Sequence, residues 1–579
     1  MKRLENADTL DSSNGERLDS WKEIASYLGR EVRTVQRWEK REGLPVHRHQ
    51  HDKSGTVYAY KGELDDWLGG RKPPDAAPEA KPRVDSRRLA IAVSLFLFVG
   101  LIGAAYFIGR RSATTDLPVV KKRLLVLPFK NLSPDAAQEW FSDGLTEEMI
   151  TQLAALRPES LAVIGRTSSE RFKSSDKSIA QIGEELNVDL ILEGSVRREG
   201  ERVRVTAQLI DTRDQSHLWA ESYDRDLPGA LTVQKDVSRL VALSLGTRLL
   251  DGESQARTIS NNTVAVEAYL RGRYQWNRGN REGFEKSVES FQAAAKADDQ
   301  FALAFAGLAA GWVMSGRYGI RPPAQCFALA KDAAEKALSL DARLAEARVA
   351  LAQVKYYWEW DFKEAESEFL RAIEINPGLA VAHHGYAHFL SEMNRHDEAI
   401  AEVKRAQEME PLSATINSDA GWFYYRARRY KEAITECRRV LEIEPQFSSA
   451  EICIIQALEK MGRYEEARQE AKNLFAATGM KKRAAALGLA DPKDALKNLR
   501  RVELEELKQM SRNQSVIPFQ FAFVYALLED KDLTIEWLEK SVAARDHVAL
   551  LINAHPAFDC VRDDPRFDEL LRRTGMKAD

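Results

Sequence analysis

The hydrophobic and polar positions of the 579-residue chain fall into four successive patterns. Before residue 45, two short stretches repeat their apolar positions at helical spacing, and residues 89–108 form an uninterrupted apolar run. Between residues 123 and 250, strand-like apolar runs alternate with amphipathic helical stretches. From residue 263 onward, helical stretches recur at a fixed interval. These patterns predict a multi-domain protein with a small helical head, one transmembrane helix, an α/β sheet domain and an all-α solenoid.

The first two helical stretches predict a helix-turn-helix. Ser20 and Glu23 have the spacing of a capping box, which places the start of a helix at Trp21. Gly29 ends that helix, and a second helix follows over about residues 31–41. In this motif the second helix enters the major groove of DNA. A small helical domain with a charged, solvated face is the alternative that spacing alone leaves open.

Two segments of the head resemble a known DNA-binding fold. "RTVQRWEKREGLP" resembles the recognition helix and turn of the MerR and excisionase-like winged helix-turn-helix families, and "GTVYAYKGELDDWL" resembles their wing strand and closing helix. The resemblance covers residues 18–68, after a stretch (residues 1–17) that we expect to be disordered. It implies that the helix contacts base edges and the wing contacts phosphates of double-stranded DNA. The implied contact residues are Arg33, Thr34, Gln36, Arg37, Lys40, Arg48 and Lys53.

The histidines of the wing and the cysteines of the chain define neither a metal site nor a disulfide framework. The segment "HRHQH" places His47, His49 and His51 on alternate residues, which allows a metal site or a basic, pH-sensitive wing edge. No cysteine or cluster of carboxylates completes a metal site there, so we assign no metal and favour the wing edge. The four cysteines of the chain form no C-x-x-C pair, which argues against a zinc module or a dense disulfide framework.

An apolar run separates the head from the rest of the chain. Leu89–Ile108 carries no charge, and at about 1.5 Å per residue a helix of this length spans roughly 30 Å, the thickness of a bilayer core. A buried helix in a soluble domain is the alternative. Residues 69–88 are rich in Pro, Ala and charge, which indicates a flexible linker. A slight excess of Lys and Arg before the run favours a cytoplasmic N-terminus.

The patterns between residues 123 and 250 predict an α/β sheet domain with the order β-α-β-α-β-β-β-α. Alternation around Glu199 and Gly200 is typical of a β-hairpin. The segments "LEGSVRREGERVRVTAQLID" and "LWAESYDRDL" resemble the TolB amino-terminal-like domain, which often precedes tetratricopeptide repeats in membrane-bound regulators and in some nucleotide cyclases. The resemblance implies no catalytic motif. We interpret Asp143, Glu147 and Glu148 as a helix N-terminus rather than as paired catalytic carboxylates.

A period of 34 residues marks the C-terminal half. Ala365, Ala399, Ala433 and Ala467 recur at this interval, which together with prolines at the same spacing is the tetratricopeptide pattern. We expect such repeats over residues 263–479, followed by further helical repeats and an end cap over residues 480–579.

Tetratricopeptide solenoids expose a concave face lined by the first helix of each repeat. Aromatic and Arg side chains on that face are typical anchors for a protein or peptide partner. The predicted partner-binding residues are Tyr357, Trp358, His384, His388, Trp422, Tyr425 and Arg426. Packing between repeats is the alternative for each of them. His384 and His388, four residues apart, could hold a metal ion, but the sequence does not indicate a third ligand.

The order of these parts resembles that of one-component membrane regulators of the CadC type. The resemblance implies a transcriptional regulator that crosses a bacterial inner membrane once, with its N-terminus in the cytoplasm and its C-terminal region in the periplasm. We therefore expect it to couple cytoplasmic DNA binding to an extracytoplasmic sensor or protein-interaction region. A homodimer is expected because one short recognition helix reads few base pairs. The alternative is a membrane-anchored scaffold whose head no longer binds DNA. We expect no enzyme activity and no cofactor, because no Walker loop, G-x-S-x-G or H-E-x-x-H motif is present.

Overall fold

The computed structural model describes residues 16–48, 57–70, 121–135, 138–156, 160–245, 260–514 and 516–576. The chain divides into two compact units, Met1–Thr115 and Asp116–Asp579. Several predictions fall outside the described residues: most of the disordered N-terminus, most of the linker, the apolar run Leu89–Ile108, and three side chains of the wing. Those side chains are His49, His51 and Lys53.

The first unit is a three-stranded antiparallel sheet with three helices. Strand β3 lies in the centre and pairs with β1 and β2, with Arg17 opposite Tyr60 and His47 opposite Tyr58. In chain order the elements are β1 (Arg17–Leu18), α1 (Trp21–Tyr27), α2 (Val32–Glu42), β2 (His47–Arg48), β3 (Val57–Tyr60) and α3 (Lys61–Gly69).

Local capping explains how α1, the first helix of the predicted helix-turn-helix, begins and ends. The helix start at Trp21 is confirmed, since Ser20 Oγ accepts a hydrogen bond from the Glu23 N–H at 3.2 Å. The capping box is incomplete, because the Glu23 carboxylate accepts from the Asp19 N–H at 2.8 Å rather than from Ser20. Gly29 occupies the turn with a φ of +59°, a left-handed conformation that glycine adopts without steric cost.

Helix α2 is fixed to the head by apolar and aromatic contacts. Its Val35 is fully buried, and the Trp38 ring lies 5.6 Å from that of Trp67 on α3. Trp67 Nε1 also donates to the Glu42 carbonyl at 3.1 Å, which joins α3 to the C-terminal end of α2. The apolar core of the unit consists of Ile24, Ala25, Val35, Leu44, Val57, Ala59 and Leu64.

The predicted fold class and location require correction at the membrane segment. No helix in the described part of the chain is long and apolar enough to span a membrane. The prediction of one transmembrane helix, and with it a single-pass inner-membrane protein with a cytoplasmic N-terminus and a periplasmic C-terminal region, is therefore corrected. It depended on the hydropathy of residues 89–108 alone, and an apolar run meets the length criterion without establishing a helix. The described fold is mostly helical, with a sheet region and a repeat solenoid.

The second unit begins with a mixed sheet in the order β6-β4-β7-β8-β9. Strands β6, β4 and β7 are parallel, β5 pairs with β7, and β7, β8 and β9 form antiparallel ladders. The elements are β4 (Lys122–Val126), β5 (Lys130–Asn131), α4 (Glu139–Ala154), β6 (Leu161–Ile164), α5 (Arg166–Glu170), α6 (Ile179–Leu186), β7 (Leu190–Glu199), β8 (Arg202–Asp211), β9 (His217–Asp226), α7 (Leu227–Ala230) and α8 (Val233–Ser244).

The rest of the second unit is a stack of helix pairs. The helices are α9 (Thr263–Asn277), α10 (Arg281–Ala297), α11 (Ala302–Arg317), α12 (Pro323–Leu340), α13 (Ala345–Val354), α14 (Phe362–Ile375), α15 (Ala380–Glu392), α16 (His396–Met409), α17 (Ala414–Arg426), α18 (Tyr430–Ile443), α19 (Ser448–Lys460), α20 (Tyr464–Ala477), α21 (Lys481–Ala486), α22 (Pro492–Ser511), α23 (Pro518–Leu527), α24 (Lys531–Ala543) and α25 (Pro565–Arg573). A π-helical turn, Lys355–Glu359, extends α13, and two 3₁₀ turns, His547–Ile552 and Pro556–Val561, precede α25.

Small residues at the period of 34 set the close approach of the paired helices. Ala365, Ala399, Ala433 and Ala467 have no exposed surface, as the repeat pattern predicts. Gly421 on α17 acts in the same way, since a methyl group at this position would overlap the Cys437 sulfur on α18.

Charged side chains of α4 connect the sheet to the first helix of the stack. Glu147 forms an ion pair with Arg273 of α9 at 2.5 Å, and the Tyr269 hydroxyl of α9 donates to Glu148. Asp143 pairs with Lys173 at 2.6 Å. The interpretation of these acids as a helix N-terminus is wrong, because α4 begins at Glu139. Glu147 and Glu148 bind side chains of α9, and Asp143 binds Lys173 within the sheet region, so each acid has a partner that offsets the cost of burying its charge.

Candidate DNA-binding surface and repeat groove

Four cations share one exposed face of α2. Arg33, Arg37, Lys40 and Arg41 occupy helical positions i, i+4, i+7 and i+8, so they project from the same side, opposite the buried Val35. None of the four forms an ion pair with a residue in the described part of the chain. We call these residues the cation face. Its charges are free to contact phosphates and base edges.

The other predicted DNA contacts differ in their availability. Thr34 and Gln36 lie at the margins of the cation face and are half-buried, whereas Arg48 on β2 is exposed. Arg48 forms an ion pair with Glu39 of α2 at 2.9 Å, which joins the wing strand to the helix. Lys53 lies outside the described residues. The sequence prediction did not include Arg41, although its spacing of four residues from Arg37 places it on the same face.

The described histidine of the wing has a partner within the head. His47 Nε2 lies 2.7 Å from the Glu63 carboxylate of α3, and its ring stacks on Tyr58 with ring centres 5.2 Å apart. These contacts fix the side chain at the sheet edge. The alternatives of a metal site or a pH-sensitive edge remain predictions, because His49 and His51 lie outside the described residues.

The predicted groove residues lie on the first helices of successive repeats, and the structure buries three of them. Tyr425 has no exposed surface, and the exposed fractions of Tyr357 and Arg426 are only 4% and 7%. The half-buried members of the predicted set are Trp358, His384, His388 and Trp422.

The protein's own C-terminal segment covers part of this face. The C-terminal segment consists of residues 546–561, which contain both 3₁₀ turns. The His555 ring lies 6.0 Å from Trp422 and 5.4 Å from Tyr425, and His547 lies 6.2 Å from Tyr357. The aromatic anchors predicted for a partner therefore already have intramolecular contacts.

Hydrogen bonds fasten the C-terminal segment to several repeats. Asn553 donates to the Glu392 carbonyl and accepts from Asn394 Nδ2, each at 3.0 Å. Lys460 of α19 donates to the Pro556 carbonyl at 2.7 Å. These groups come from more than one repeat, so the segment lies across the stack.

Buried polar groups lie beneath this contact. The Arg317 guanidinium stacks on the Tyr357 ring at 4.6 Å, and the Tyr356 hydroxyl donates to Glu392. Burial raises the pKa of Glu392 to about 6 and lowers the pKa of His547 to about 3. The imidazole of His547 therefore stays neutral near pH 7.

A histidine pair and a carboxylate meet on the first helices of two adjacent repeats. The Nε2 atoms of His384 and His388 on α15 lie 2.8 Å and 3.0 Å from Oδ2 of Asp419 on α17. Burial lowers the pKa of His388 to about 4, and although burial alone raises the pKa of Asp419, the two imidazoles hold it well below its ordinary value. Sequence reasoning missed Asp419. The available signal was the period of 34, which brings His384 close to residues near 418.

Two family models match parts of the second unit. Residues 120–240, which contain the sheet, match the second domain of HilA/YgeH-like transcriptional regulators, and residues 380–411 match the tetratricopeptide repeat. The predicted tetratricopeptide architecture is therefore confirmed, and the sheet region is like a domain of transcriptional regulators. These matches do not confirm the resemblances to MerR, TolB or CadC-type proteins.

One curated relative covers a limited part of the chain. The putative adenylate cyclase 3 of Rhizobium meliloti (strain 1021) is 43% identical over 149 residues, which are 26% of this chain and 25% of the relative. The chain thus spans about a quarter of the length of the curated relative it matches. The cyclase name describes that protein.

Solved structures resemble this chain only distantly. A thermophilic tetratricopeptide protein of Thermus thermophilus is 18% identical, with 34% of this chain and 98% of that chain covered and a TM-score of 0.29. The pilF protein of Pseudomonas aeruginosa is 19% identical, with 48% of this chain and 98% of that chain covered and a TM-score of 0.27.

Proposed function

We propose that this protein is a DNA-binding transcriptional regulator whose repeat region binds a protein or peptide partner. The match of its sheet region to a domain of transcriptional regulators supports the regulatory role. The tetratricopeptide match supports protein interaction. The protein acts through binding and has no catalytic activity, a proposal supported by the lack of a catalytic motif in its sequence.

The cation face is the single observation that carries DNA binding. Its four positive charges project from one side of a helix whose opposite side is held by Val35 and by the contact between Trp38 and Trp67. A rigid helix with such a cationic face suits insertion into the major groove, where Arg pairs with guanine and Lys contacts phosphates. Arg33, Thr34, Gln36, Arg37 and Lys40 are the proposed contacts on this helix, with Arg48 and Lys53 on the wing.

The proposed DNA-binding form is a homodimer. Helix α2 has 11 residues and its base contacts span only a few base pairs. Two linked heads reach paired half-sites at a high effective concentration, which raises affinity without new contacts.

The half-buried residues of the concave face are the proposed partner contacts. Trp358, His384, His388 and Trp422 are accessible on it, whereas Tyr357, Tyr425 and Arg426 become available once the C-terminal segment moves away. The partner therefore competes with that segment for the buried anchors.

The test compares DNA binding by two full-length double variants. Arg33→Ala with Arg37→Ala removes two charges from the cation face, and Lys481→Ala with Lys482→Ala removes two exposed charges from α21 as a matched control. DNA upstream of the protein's own gene is the probe, with binding followed by fluorescence anisotropy. We expect the first variant to lose at least about tenfold in affinity and the control to bind like the wild type.

Equal binding by both variants contradicts a role of α2 in DNA recognition. Binding by neither the variants nor the wild type favours the alternative, a scaffold protein whose repeats assemble other proteins. Circular dichroism of both variants establishes that each remains folded.

A further inference from the structure

His384, His388 and Asp419 present three potential metal-ligand atoms at one place. These atoms, one from each residue, all lie within 4.8 Å of one another. The side chains retain about a fifth of their surface, with exposed fractions of 20%, 17% and 21%. A solvated ion can therefore reach them from the concave face.

The local sequence makes this arrangement rigid. His384 and His388 are one helical turn apart on α15, so both imidazoles project from the same side of the helix. Asp419 comes from α17, the first helix of the next repeat, which the stacking of repeats holds beside α15. Each proposed ligand therefore lies on a helix, and the packing of adjacent repeats sets the distance between the two histidines and Asp419.

We propose that His384, His388 and Asp419 bind a divalent transition-metal ion, with Zn²⁺ as the ion that fits best. Two imidazole nitrogens and one carboxylate oxygen match the preference of Zn²⁺ and similar ions, whereas Ca²⁺ and Mg²⁺ prefer oxygen ligands throughout. Three protein ligands leave a fourth tetrahedral position for water, as in open zinc sites.

Two of the three ligand-atom distances require only a small adjustment, and the two imidazole nitrogens lie within 4.8 Å of each other. Ligand atoms around tetrahedral Zn²⁺ lie about 3.3 Å apart, because each bond is about 2.0 Å long. The two nitrogen-to-oxygen distances of 2.8 Å and 3.0 Å are slightly shorter than this. The ion replaces the protons shared between the imidazoles and Asp419, so each histidine carries its remaining proton on Nδ1 when the metal is bound.

One nearby charge opposes the ion. The His388 ring and the Arg426 guanidinium both lie against the Phe423 ring, at 5.0 Å and 5.6 Å from its centre, so this cation is near the site. The Asp419 carboxylate, 3.0 Å from His388 Nε2, offsets its charge. The site therefore depends strongly on Asp419, which makes this residue the most sensitive position to test.

Calorimetric titration of the chelator-treated, full-length protein with ZnCl₂ tests the site. The variants are His388→Gln and Asp419→Asn, which keep side-chain size, and His217→Gln is the control because His217 is exposed on β9. We expect each of the first two variants to weaken Zn²⁺ binding by at least about tenfold and the control to bind like the wild type. Any Zn²⁺ binding elsewhere in the chain is common to all four proteins, so the comparison isolates the repeat site.

Visible absorption with CoCl₂ provides a second readout that reports coordination directly. Tetrahedral Co²⁺ bound to the wild type is expected to give a d–d band that His388→Gln and Asp419→Asn lose while their circular dichroism stays unchanged. Equal Zn²⁺ binding by all four proteins, or no Zn²⁺ binding by the wild type, overturns the proposal.

Discussion

Glu410 of the repeat region caps a helix of the sheet region through Ser168. One oxygen of the Glu410 carboxylate accepts hydrogen bonds from both the N–H and the Oγ of Ser168, each at 2.9 Å, and the other accepts from the Thr167 N–H at 3.1 Å. The adjacent Gly165 N–H donates to the Met409 carbonyl at 2.7 Å. This cluster fixes the sheet to the repeat stack.

The first prediction concerns the pH dependence of this contact. Burial raises the pKa of Glu410 from 4.5 to about 7, even though the hydrogen bonds from Ser168 and Thr167 favour the charged form. A carboxyl group with a raised folded-state pKa stabilises the fold fully below the unfolded-state pKa and loses that contribution as pH rises. We expect the free energy of unfolding to fall by about 3 kcal/mol between pH 4.5 and pH 7 from this group.

Denaturant unfolding of Glu410→Gln across this pH range checks the prediction. Glutamine resembles the protonated acid and does not ionise. The free energy of unfolding of the variant should therefore lack the fall of about 3 kcal/mol between pH 4.5 and pH 7. Glu444 occupies the equivalent position one repeat later and is exposed, which makes Glu444→Gln the matched control. If the free energy of unfolding of Glu410→Gln depended on pH as that of the wild type does, the Glu410 carboxylate would not be the cause of the pH dependence.

The second prediction compares the effect on stability of replacing glycine by alanine at two positions. A methyl group at Gly421 would overlap the Cys437 sulfur, whereas one at Gly62 on α3 meets no atom within 4 Å. Gly421→Ala should therefore destabilise the second unit by about 1–3 kcal/mol through overpacking. Gly62→Ala should stabilise the head by up to about 1 kcal/mol because alanine favours a helix. Thermal unfolding measures both, and the same sign for both would refute the packing explanation.

The third prediction concerns the C-terminal segment. Asn553→Ala removes the hydrogen bond to the Glu392 carbonyl and the one from Asn394. We expect a loss of about 1–3 kcal/mol, because a buried carbonyl is left unpaired. Amide hydrogen exchange should accelerate most within residues 546–561. The exposed Asn513→Ala serves as the control, and uniform acceleration across the repeats would indicate general destabilisation instead.

Some of this organisation follows directly from sequence because it depends on local contacts. Ser20 and the glycine at position 29 mark the helix-turn-helix by rules that act within one or two turns. The period of 34 places Ala365 and Ala399 at helix crossings because the two helices of every repeat pack against each other in the same way. Helical spacing likewise places Arg33, Arg37 and Lys40 on one face of α2, and the same spacing applies to Arg41, which the sequence prediction omitted.

Contacts between distant positions could not be predicted in this way. Asp419 completes the histidine pair from the next repeat, and Ser168 meets Glu410 across 242 residues of chain. The period of 34 brings His384 close to residues near 418 but does not select Asp419 among them. No periodic pattern encodes the pairing of Ser168 with Glu410, since it depends on how whole elements pack. The same holds for the C-terminal segment, whose sequence indicated an end cap and whose contacts lie on Trp422 and Tyr425. The hydropathy of residues 89–108 did not establish the predicted transmembrane helix, because hydropathy measures composition and not structure.

The fourth prediction extends DNA recognition to Arg41. This side chain is exposed on the cation face beside Arg37, so Arg41→Ala should weaken DNA binding and reduce the dependence of affinity on salt by about one released counterion. Lys481→Ala, which removes an exposed charge from α21, should change neither quantity. Titrations at several salt concentrations measure the slope, and an unchanged slope in Arg41→Ala would place this residue outside the contact.

The most direct measurement of the proposed regulatory role is a salt titration of the full-length protein on two DNA duplexes. One duplex is the DNA upstream of its own gene, and the other is an unrelated sequence of equal length. We predict tighter binding to the upstream DNA, with an affinity that falls steeply as salt rises because several phosphates are contacted. Binding that is absent, or equally weak for both duplexes at every salt concentration, would mean that the head does not recognise this DNA.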